Sequence, residues 1–580
     1  MIDNDVDLLI AGSGGGGLAT ALFASSFGLK VMICEKSRYV GGTTAISGGS
    51  AWAIATVQEE QAGLQDSIET GRRYLDAMGE GHGSGEMQDA FLEAAPAAFA
   101  FLQHQTDVTF TAPRIHPDYY PHLPGTTTGG RNLGPDTLDG RRLGSLINLV
   151  RPPRPEFTGP FGMAVARSEI SDLVRPWRSI RAFRLATRAV LGHAWALLFH
   201  RRAMRLLMGN ALIGRLLLSL AARGVTPALE TSVARLWVEN GQIAGAVLRT
   251  KTGEKHVRAR QGVVLATGGF AANADMRQSM LGSLQTDHFV TFEGAAGDGI
   301  VLARAVGAGL AGGSASAGLW MPASILRRQG KRDITFPHLR DRAKPGLIAV
   351  GSDGRRFVNE ANSYHDVCLA MFRSKKHGET VEAHLICDHA FIREFGLGLI
   401  RPFWSRLRPF IASGYLAKGR TLAELARKIG VDPEGLQATV ARHNADAVSG
   451  TDTEFAKGGS ALNRLNGDER FKPNPCLAPI GKAPFYAVRV VPALLATARG
   501  LATDTEARVL DQNRRPIKGL YAVGNDMASV FDGHYPGPGA TIGPAIAFAW
   551  RAACHAAKRD VATDRAAQNG IVRETEHHGL

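Results

Sequence analysis

Cysteine is scarce and scattered in this chain. Five cysteines stand among 580 residues, and no two form a C-x-x-C pair. That argues against a disulfide scaffold or a zinc site and fits a reducing compartment. Long apolar runs are missing too, since none reaches the ~18 residues of a spanning helix. The N-terminal MIDNDVDLLIAG has no basic stretch, apolar stretch or cleavage site, so no signal peptide is expected and the expected location is cytoplasmic. Tyrosine is also rare, with nine in all, so the context of each is informative.

Glycine is abundant instead. The 68 glycines exceed the ~41 of ordinary usage and fall in clusters. Clustered glycine marks backbone that bends sharply or approaches another group closely. Hydrophobic residues at 44% and charged residues at 21% give a globular balance, enough for roughly two to four domains. The net charge of +14 suits nucleic acid, an anionic membrane or an acidic ligand, and its location decides among them.

The first cluster sits in a nucleotide-binding context. Val6–Ala11 reads as a buried parallel strand, G12-S-G-G-G-G17 as a turn, and LATALFASSFGL as a helix. Gly12, Gly14 and Gly17 match G-x-G-x-x-G. A second strand, K30-V-M-I-C-E35, ends in an acid. Gly12 makes the tight turn, Gly14 lets backbone approach a pyrophosphate, and Gly17 lets helix pack on strand. The helix N-terminus holds the anion and Glu35 accepts from ribose hydroxyls.

Three further segments separate FAD from NAD. V40-G-G-T-T-A-I-S-G-G49 resembles the flavin-contacting stretch of the fumarate reductase/succinate dehydrogenase flavoprotein superfamily. V263-V-L-A-T-G-G269 resembles the A-T-G-G turn of two-dinucleotide-binding flavoproteins, and G519-L-Y-A-V-G-N525 their last flavin strand. The resemblance implies FAD, with contacts at Gly12, Ser13, Gly14, Gly17, Glu35, Lys36, Gly42, Thr43, Thr44, Ser47, Gly48, Gly49, Val233, Thr267, Gly268, Gly524, Asn525, Thr541 and Ile542. Members that bind FAD covalently carry a histidine near the second glycine stretch. Residues 41–49 have none, so non-covalent FAD is expected. No metal site is expected.

The tyrosines narrow the family. S352-D-G-R-R-F-V-N-E-A-N-S-Y364, H116-P-D-Y-Y-P121 and Y535-P-G-P-G-A-T-I-G-P544 together resemble the 3-ketosteroid Δ1-dehydrogenases. The likeness runs from Asp5 to about Ala557. It implies an α/β fold: a Rossmann-like FAD-binding domain with an inserted α+β substrate-binding cap. The expected divisions are 1–291 for the first FAD-binding part, 292–485 for the cap and 486–560 for the second FAD-binding part. A basic insert falls at about 145–215, and a polar tail at 561–580. Asp298 is expected to cap a helix, and the site to lie at the domain interface.

Removing a proton from C2 next to a C3 ketone requires the carbonyl oxygen to be stabilised as it gains charge. The Tyr535 hydroxyl and the Gly539 N–H are two suitable donors. The resemblance makes Tyr364 the base, Tyr119 its hydrogen-bonding neighbour with Tyr120 as the alternative, and FAD the hydride acceptor. Rival activities are 4,5-dehydrogenation of a 5α-3-ketosteroid and a fumarate-reductase-like reaction. The latter would use Arg355, Arg356, His365 or His534 as dicarboxylate clamps. A flavin-fold binding protein without turnover is the non-enzymatic rival.

The positive charge is concentrated. Between Leu173 and Leu207 stand Arg175, Arg178, Arg181, Arg184, Arg188, Arg201, Arg202 and Arg205, with no Asp, Glu or Lys. Ile180, Phe183, Val190 and Leu191 are expected on roughly the opposite helix face from the first five, and Trp177, Trp195 and Phe199 add aromatics. A basic amphipathic helix with aromatic edges reads as interfacial, on the inner face of the cell membrane. A solvated surface helix and a nucleic-acid patch are the alternatives; no nucleic-acid partner is expected. The expected partners are a hydrophobic 3-ketosteroid and an electron acceptor of quinone type. His577 and His578 in the tail are assigned no metal role.

Overall fold

The computed structural model describes residues 4–79, 85–166, 169, 172–173, 176–200, 202–375, 380–403 and 405–561. The polar tail from 562, Arg175 and Arg201 lie outside the described residues. Eight elements carry the argument: β1 (Asn4–Ala11), α1 (Gly15–Ser26), β2 (Val31–Glu35), α2 (Ile180–His200), β3 (Gly253–Leu265), α3 (Tyr364–Ser374), β4 (Pro516–Ala522) and α4 (Ile542–Ala556).

The chain forms two compact units. The first comprises Met1–Ser283, Thr291–Gly318 and Ala496–Leu580; the second comprises Leu284–Val290 and Leu319–Leu495. The first unit is built on a sheet whose parallel centre runs β2, β1, β3, β4. These strands are covered on both faces, so Leu8, Leu9, Ile10, Val263, Val264 and Leu265 are all inaccessible to solvent. Such unbroken apolar strands are what a covered parallel sheet requires. Helix α1 is apolar on most of its faces and buried from Gly15 to Ala24. Its Phe23 meets Trp550 of α4 edge to face, centroids 5.1 Å apart. An antiparallel hairpin, Ser232–Glu239 and Gln242–Thr250, extends β3.

Thr291–Gly318 belongs to this first unit. Its helix Asp298–Arg304 is capped by Gly297, not by Asp298. Asp298 instead pairs with Lys36 at 2.5 Å, so the carboxylate serves an ion pair within the first unit rather than its own helix end.

The second unit carries a six-stranded sheet flanked by helices, an α+β arrangement. Strands Leu347–Val350, Ala383–Cys387 and Phe485–Thr497 pair antiparallel. Ile348, Val350, Ile386, Leu425, Leu436 and Val440 form one of its cores.

The basic insert departs from the expected single basic helix. Trp177 lies in a separate short turn, Pro176–Arg178, before α2. Ala182 and Ala196 face inward. Ile180, Phe183, Val190, Leu191, Trp195, Leu198 and Phe199 are between 54% and 77% exposed, and Arg181, Arg184 and Arg188 are exposed too. Only a narrow face of α2 is therefore buried, and arginines and apolar residues share its exposed remainder. Two more arginines turn back to the protein. Arg202 donates to the carbonyls of Ile147 and Val150, and Arg205 pairs with Glu169 at 2.8 Å. Among the described residues no helix is long and apolar enough to cross a membrane.

Candidate active site

The nucleotide loop is formed by backbone fit. Gly12 has φ +108°, and a Cβ there would stand 2.3 Å from the Ala266 oxygen. At Gly17 a Cβ would stand 2.1 Å from the Gly12 oxygen. A Cβ at Gly14, the N-cap of α1, would meet nothing within 4 Å. The first two glycines are required by the protein's own packing. The third leaves room at a helix N-terminus, as an approaching pyrophosphate needs.

Glu35 closes the end of β2. Its Oε2 accepts from Ser13 N at 3.1 Å and Ser13 Oγ at 2.6 Å, and its Oε1 from Ser37 N at 2.8 Å. Lys36 is engaged with Asp298. Gly41 and Gly42 both have positive φ and open the short helix Gly42–Ala45. Thr44 Oγ1 accepts from Gly15 N at 3.1 Å, and Thr43 Oγ1 from Phe292 N at 3.1 Å. Ser47 Oγ accepts from Gly49 N, and Gly48 has open space where a side chain would be. Val233 lies on the hairpin, paired with Leu248.

The two later flavin motifs meet at β3 and β4. The Asp526 carboxylate, fully buried, accepts from Thr267 N, Thr267 Oγ1 and Gly269 N. It thereby ties the Thr267–Gly268–Gly269 turn to Gly524 and Asn525. Burial pushes the Asp526 carboxyl above its usual range. Sequence reading missed Asp526, although it directly follows Gly524-Asn525. It also missed Arg151, whose guanidinium lies 3.6 Å above the Phe292 ring and reaches Ser37 Oγ at 2.9 Å. Arg151 carries no motif and is more than a hundred residues from Ser37 in sequence.

The loop Tyr535–Pro544 is held from several directions. Pro536 O accepts from Tyr119 N at 2.9 Å and from Tyr74 Oη at 2.8 Å. The Tyr119 ring lies over the Tyr535 ring, centroids 5.8 Å apart and planes 22° apart. Tyr120 turns its ring to His122 instead, and its N–H meets Tyr74 Oη at 3.3 Å. Gly539 has φ +95°, and a Cβ there would lie 2.6 Å from Ser50 O and Trp52 N. Gly539 O accepts from Trp52 N and Gly543 N. Among the described residues no acceptor takes the Gly539 N–H. Thr541 is the N-cap of α4, and Ile542 is its buried first residue.

In the second unit, Tyr364 is the buried first residue of α3, behind the N-cap Ser363. The loop before it is fixed by buried charge. Arg356 bridges Glu360 and Asp452 through four contacts of 2.8–2.9 Å. Lys457 Nζ reaches Leu347 O at 2.6 Å and Glu360 Oε2 at 3.3 Å. The two cations hold the Glu360 carboxyl well below the usual carboxylate range. Arg356 is thus consumed by the protein, and His365 accepts from Trp320 N. Neither has the exposure that a dicarboxylate clamp requires, whereas Arg355 is exposed.

The comparisons agree with this architecture. The family described as "FAD binding domain" matches residues 7–542. The chain is 36% identical to a 4-oxocyclohex-2-ene-1-carboxylate 5-dehydrogenase of Sinomonas cyclohexanicum, covering 96% of this chain and 93% of the relative. It is 34% identical to a 3-oxosteroid 1-dehydrogenase of Mycobacterium tuberculosis, covering 96% and 99%. The solved 3-ketosteroid Δ1-dehydrogenase of Sterolibacterium denitrificans, in complex with 1,4-androstadiene-3,17-dione, superposes with a TM-score of 0.89 at 34% identity. That match covers 96% of this chain and 100% of that one.

Proposed function

Because the chain belongs to the FAD binding domain family of flavoproteins, we propose that it is an FAD-dependent oxidoreductase that introduces the C1=C2 double bond into a 3-ketosteroid. The carrying observation is the pairing of Tyr535 with Gly539. One hydroxyl and one N–H stand on a loop that the surrounding backbone keeps rigid, and among the described residues no acceptor consumes the N–H. Two such donors polarise a C3 carbonyl and stabilise its oxygen as C2 loses a proton, and they act without reorganising. Tyr119 supports Tyr535 ring on ring. Tyr364 is the proposed base. A phenol near pKa 10 accepts a proton poorly at neutral pH unless its surroundings favour the phenolate. FAD, held non-covalently by the residues of the two glycine stretches, supplies the hydride-accepting chemistry.

A second reading is oxidation of a cyclohexanone carboxylate, favoured by the 36% identity to the Sinomonas dehydrogenase. It uses the same carbonyl chemistry on a smaller, charged ring. The deciding experiment offers the protein 4-androstene-3,17-dione or 4-oxocyclohex-2-ene-1-carboxylate with an artificial electron acceptor. Formation of the steroid 1,4-diene supports the first reading. Turnover of the carboxylate alone moves the assignment to the second. Bound flavin with turnover of neither defeats both.

The outward surface of α2 supports peripheral membrane association. Aromatic and aliphatic side chains interspersed with arginines suit the headgroup boundary of an anionic bilayer. A quinone is the proposed acceptor, consistent with that location.

A further inference from the structure

Beneath the Tyr535–Gly539 loop lies a set of buried ionisable groups that the proposed chemistry does not use. Arg131 is 1% exposed. Its guanidinium pairs with Asp66 through Nε at 2.7 Å and Nη2 at 3.0 Å, and with Asp118 Oδ2 through Nη1 at 2.8 Å. The other Asp118 oxygen, Oδ1, accepts from Trp52 Nε1 at 2.9 Å, and Oδ2 also accepts from Thr127 N at 3.2 Å. The guanidinium carbon lies 5.4 Å from the Tyr74 ring centre and 5.9 Å from that of Trp52. A buried ion pair is a weak source of stability, because desolvation offsets most of the attraction. Its better-supported use is to fix one geometry among several.

Asp66 apart, each group that Arg131 touches is also fastened to the carbonyl-binding loop or its tyrosine partner. Asp118 directly precedes Tyr119. Tyr74 donates to Pro536 O, the same oxygen that takes Tyr119 N–H. Trp52 N donates to Gly539 O at 3.1 Å. A Cβ on Gly537 would fall 2.6 Å from the Trp52 ring and 3.6 Å from Asp118 Oδ1, so the loop lies directly on the Trp52–Asp118 hydrogen bond. The Arg131 guanidinium joins all three supports.

We propose that Arg131 and Asp118 are positioning residues of the carbonyl-binding site. Together they hold Tyr119 against Tyr535 and set the direction of the Gly539 N–H. The inference rests on the function proposed above. Asp118 acts through Trp52 and through its own chain neighbour, and Arg131 acts by fixing Asp118 and bracing Tyr74. Neither contacts the substrate. The effect therefore belongs to the charged-oxygen state more than to the ground-state ketone, since a small displacement of a donor is felt most where charge develops.

The test compares the holoenzyme with Asp118→Asn and Trp52→Phe, each checked for flavin content and melting temperature. Two ligands are titrated by the change in flavin absorbance: 4-androstene-3,17-dione, and oestradiol, whose ring-A phenolate mimics the enolate. Turnover is measured in parallel. In Asp118→Asn, kcat is expected to fall about 10- to 100-fold, and oestradiol binding to weaken about tenfold. Ketone binding should change less than about threefold, the split expected of transition-state positioning. If Asp118→Asn loses its flavin or fails to fold, Trp52→Phe carries the test, because it removes one donor and keeps an aromatic ring. Unaltered kcat, or an equal loss of both ligands, overturns the proposal. Wild-type protein that turns over neither proposed ketone overturns the functional reading and this inference with it.

Discussion

Tyr119 and Tyr535 are joined twice: ring over ring at 5.8 Å, and through the bond from Tyr119 N to Pro536 O. The first fixes the phenol faces and the second fixes the chains that carry them. A substitution that spares the backbone bond therefore isolates what the hydroxyls do.

Tyr535→Phe keeps ring and stack and deletes one proposed donor. Turnover of the ketone is expected to fall about 10²- to 10³-fold, the usual cost of one oxyanion donor. Bound flavin and the melting temperature should stay near wild type. Steady-state kinetics with an artificial acceptor checks this, and near-normal kcat would remove Tyr535 from the chemistry.

Gly539→Ala attacks the other donor through conformation. At φ +95°, with Ser50 O and Trp52 N at 2.6 Å from the new Cβ, the loop has to shift. The expected loss is about 1–3 kcal/mol of stability, with turnover falling more steeply than Tyr535→Phe. Denaturant melts and kinetics on the same preparation read both.

Glu35→Ala removes the acceptor that holds Ser13 N, Ser13 Oγ and Ser37 N. Flavin affinity should drop at least tenfold, followed by the fluorescence of released FAD on dilution. Acid precipitation of wild-type protein should leave a colourless pellet and yellow supernatant, as non-covalent binding requires.

Glu59 supplies a pH dependence with a definite sign. Burial raises its carboxyl from 4.5 to about 7. A raised folded-state value favours the folded protein at low pH, and that contribution is lost as pH climbs from about 4.5 through 7. The loss is on the order of 3 kcal/mol. Glu59→Gln should flatten the melting temperature over this window and raise it at pH 8.

Phe183→Ser, Leu191→Ser and Trp195→Ser combined on α2 should abolish flotation with anionic vesicles while leaving turnover of dissolved substrate intact. Equal flotation of the variant would remove this surface from any membrane role.

The legible parts of the molecule were those where chemistry is written locally. Strand, G-x-G-x-x-G, helix and terminal acid are contiguous, and Gly17 is demanded by the Gly12 carbonyl within that same stretch. The loop that carries Tyr535 and Gly539 was legible for the same reason, as one proline- and glycine-rich stretch directly before a helix. The supports were not. Arg131, Asp118, Trp52 and Tyr74 come from four separate stretches, and none has a motif that announces a partner. The buried face of α2 was not legible, because Ala182 and Ala196, which form it, carry no pattern that sets them apart. Arg356 was read as available because sequence does not disclose that Glu360 and Asp452 already claim it.

The order of strands in the flavin sheet has a consequence for synthesis. Strand β1 pairs with β3, and β3 takes β4 as its outer neighbour only after nearly the whole chain has been made. Helix α1 waits equally long for α4, whose Trp550 packs on Phe23. Pairings this distant form slowly. While the ribosome extends the chain, the apolar flank of β3 and the Trp550-facing side of α1 stay open to solvent, so chaperone demand during translation should track the arrival of the final strand and helix.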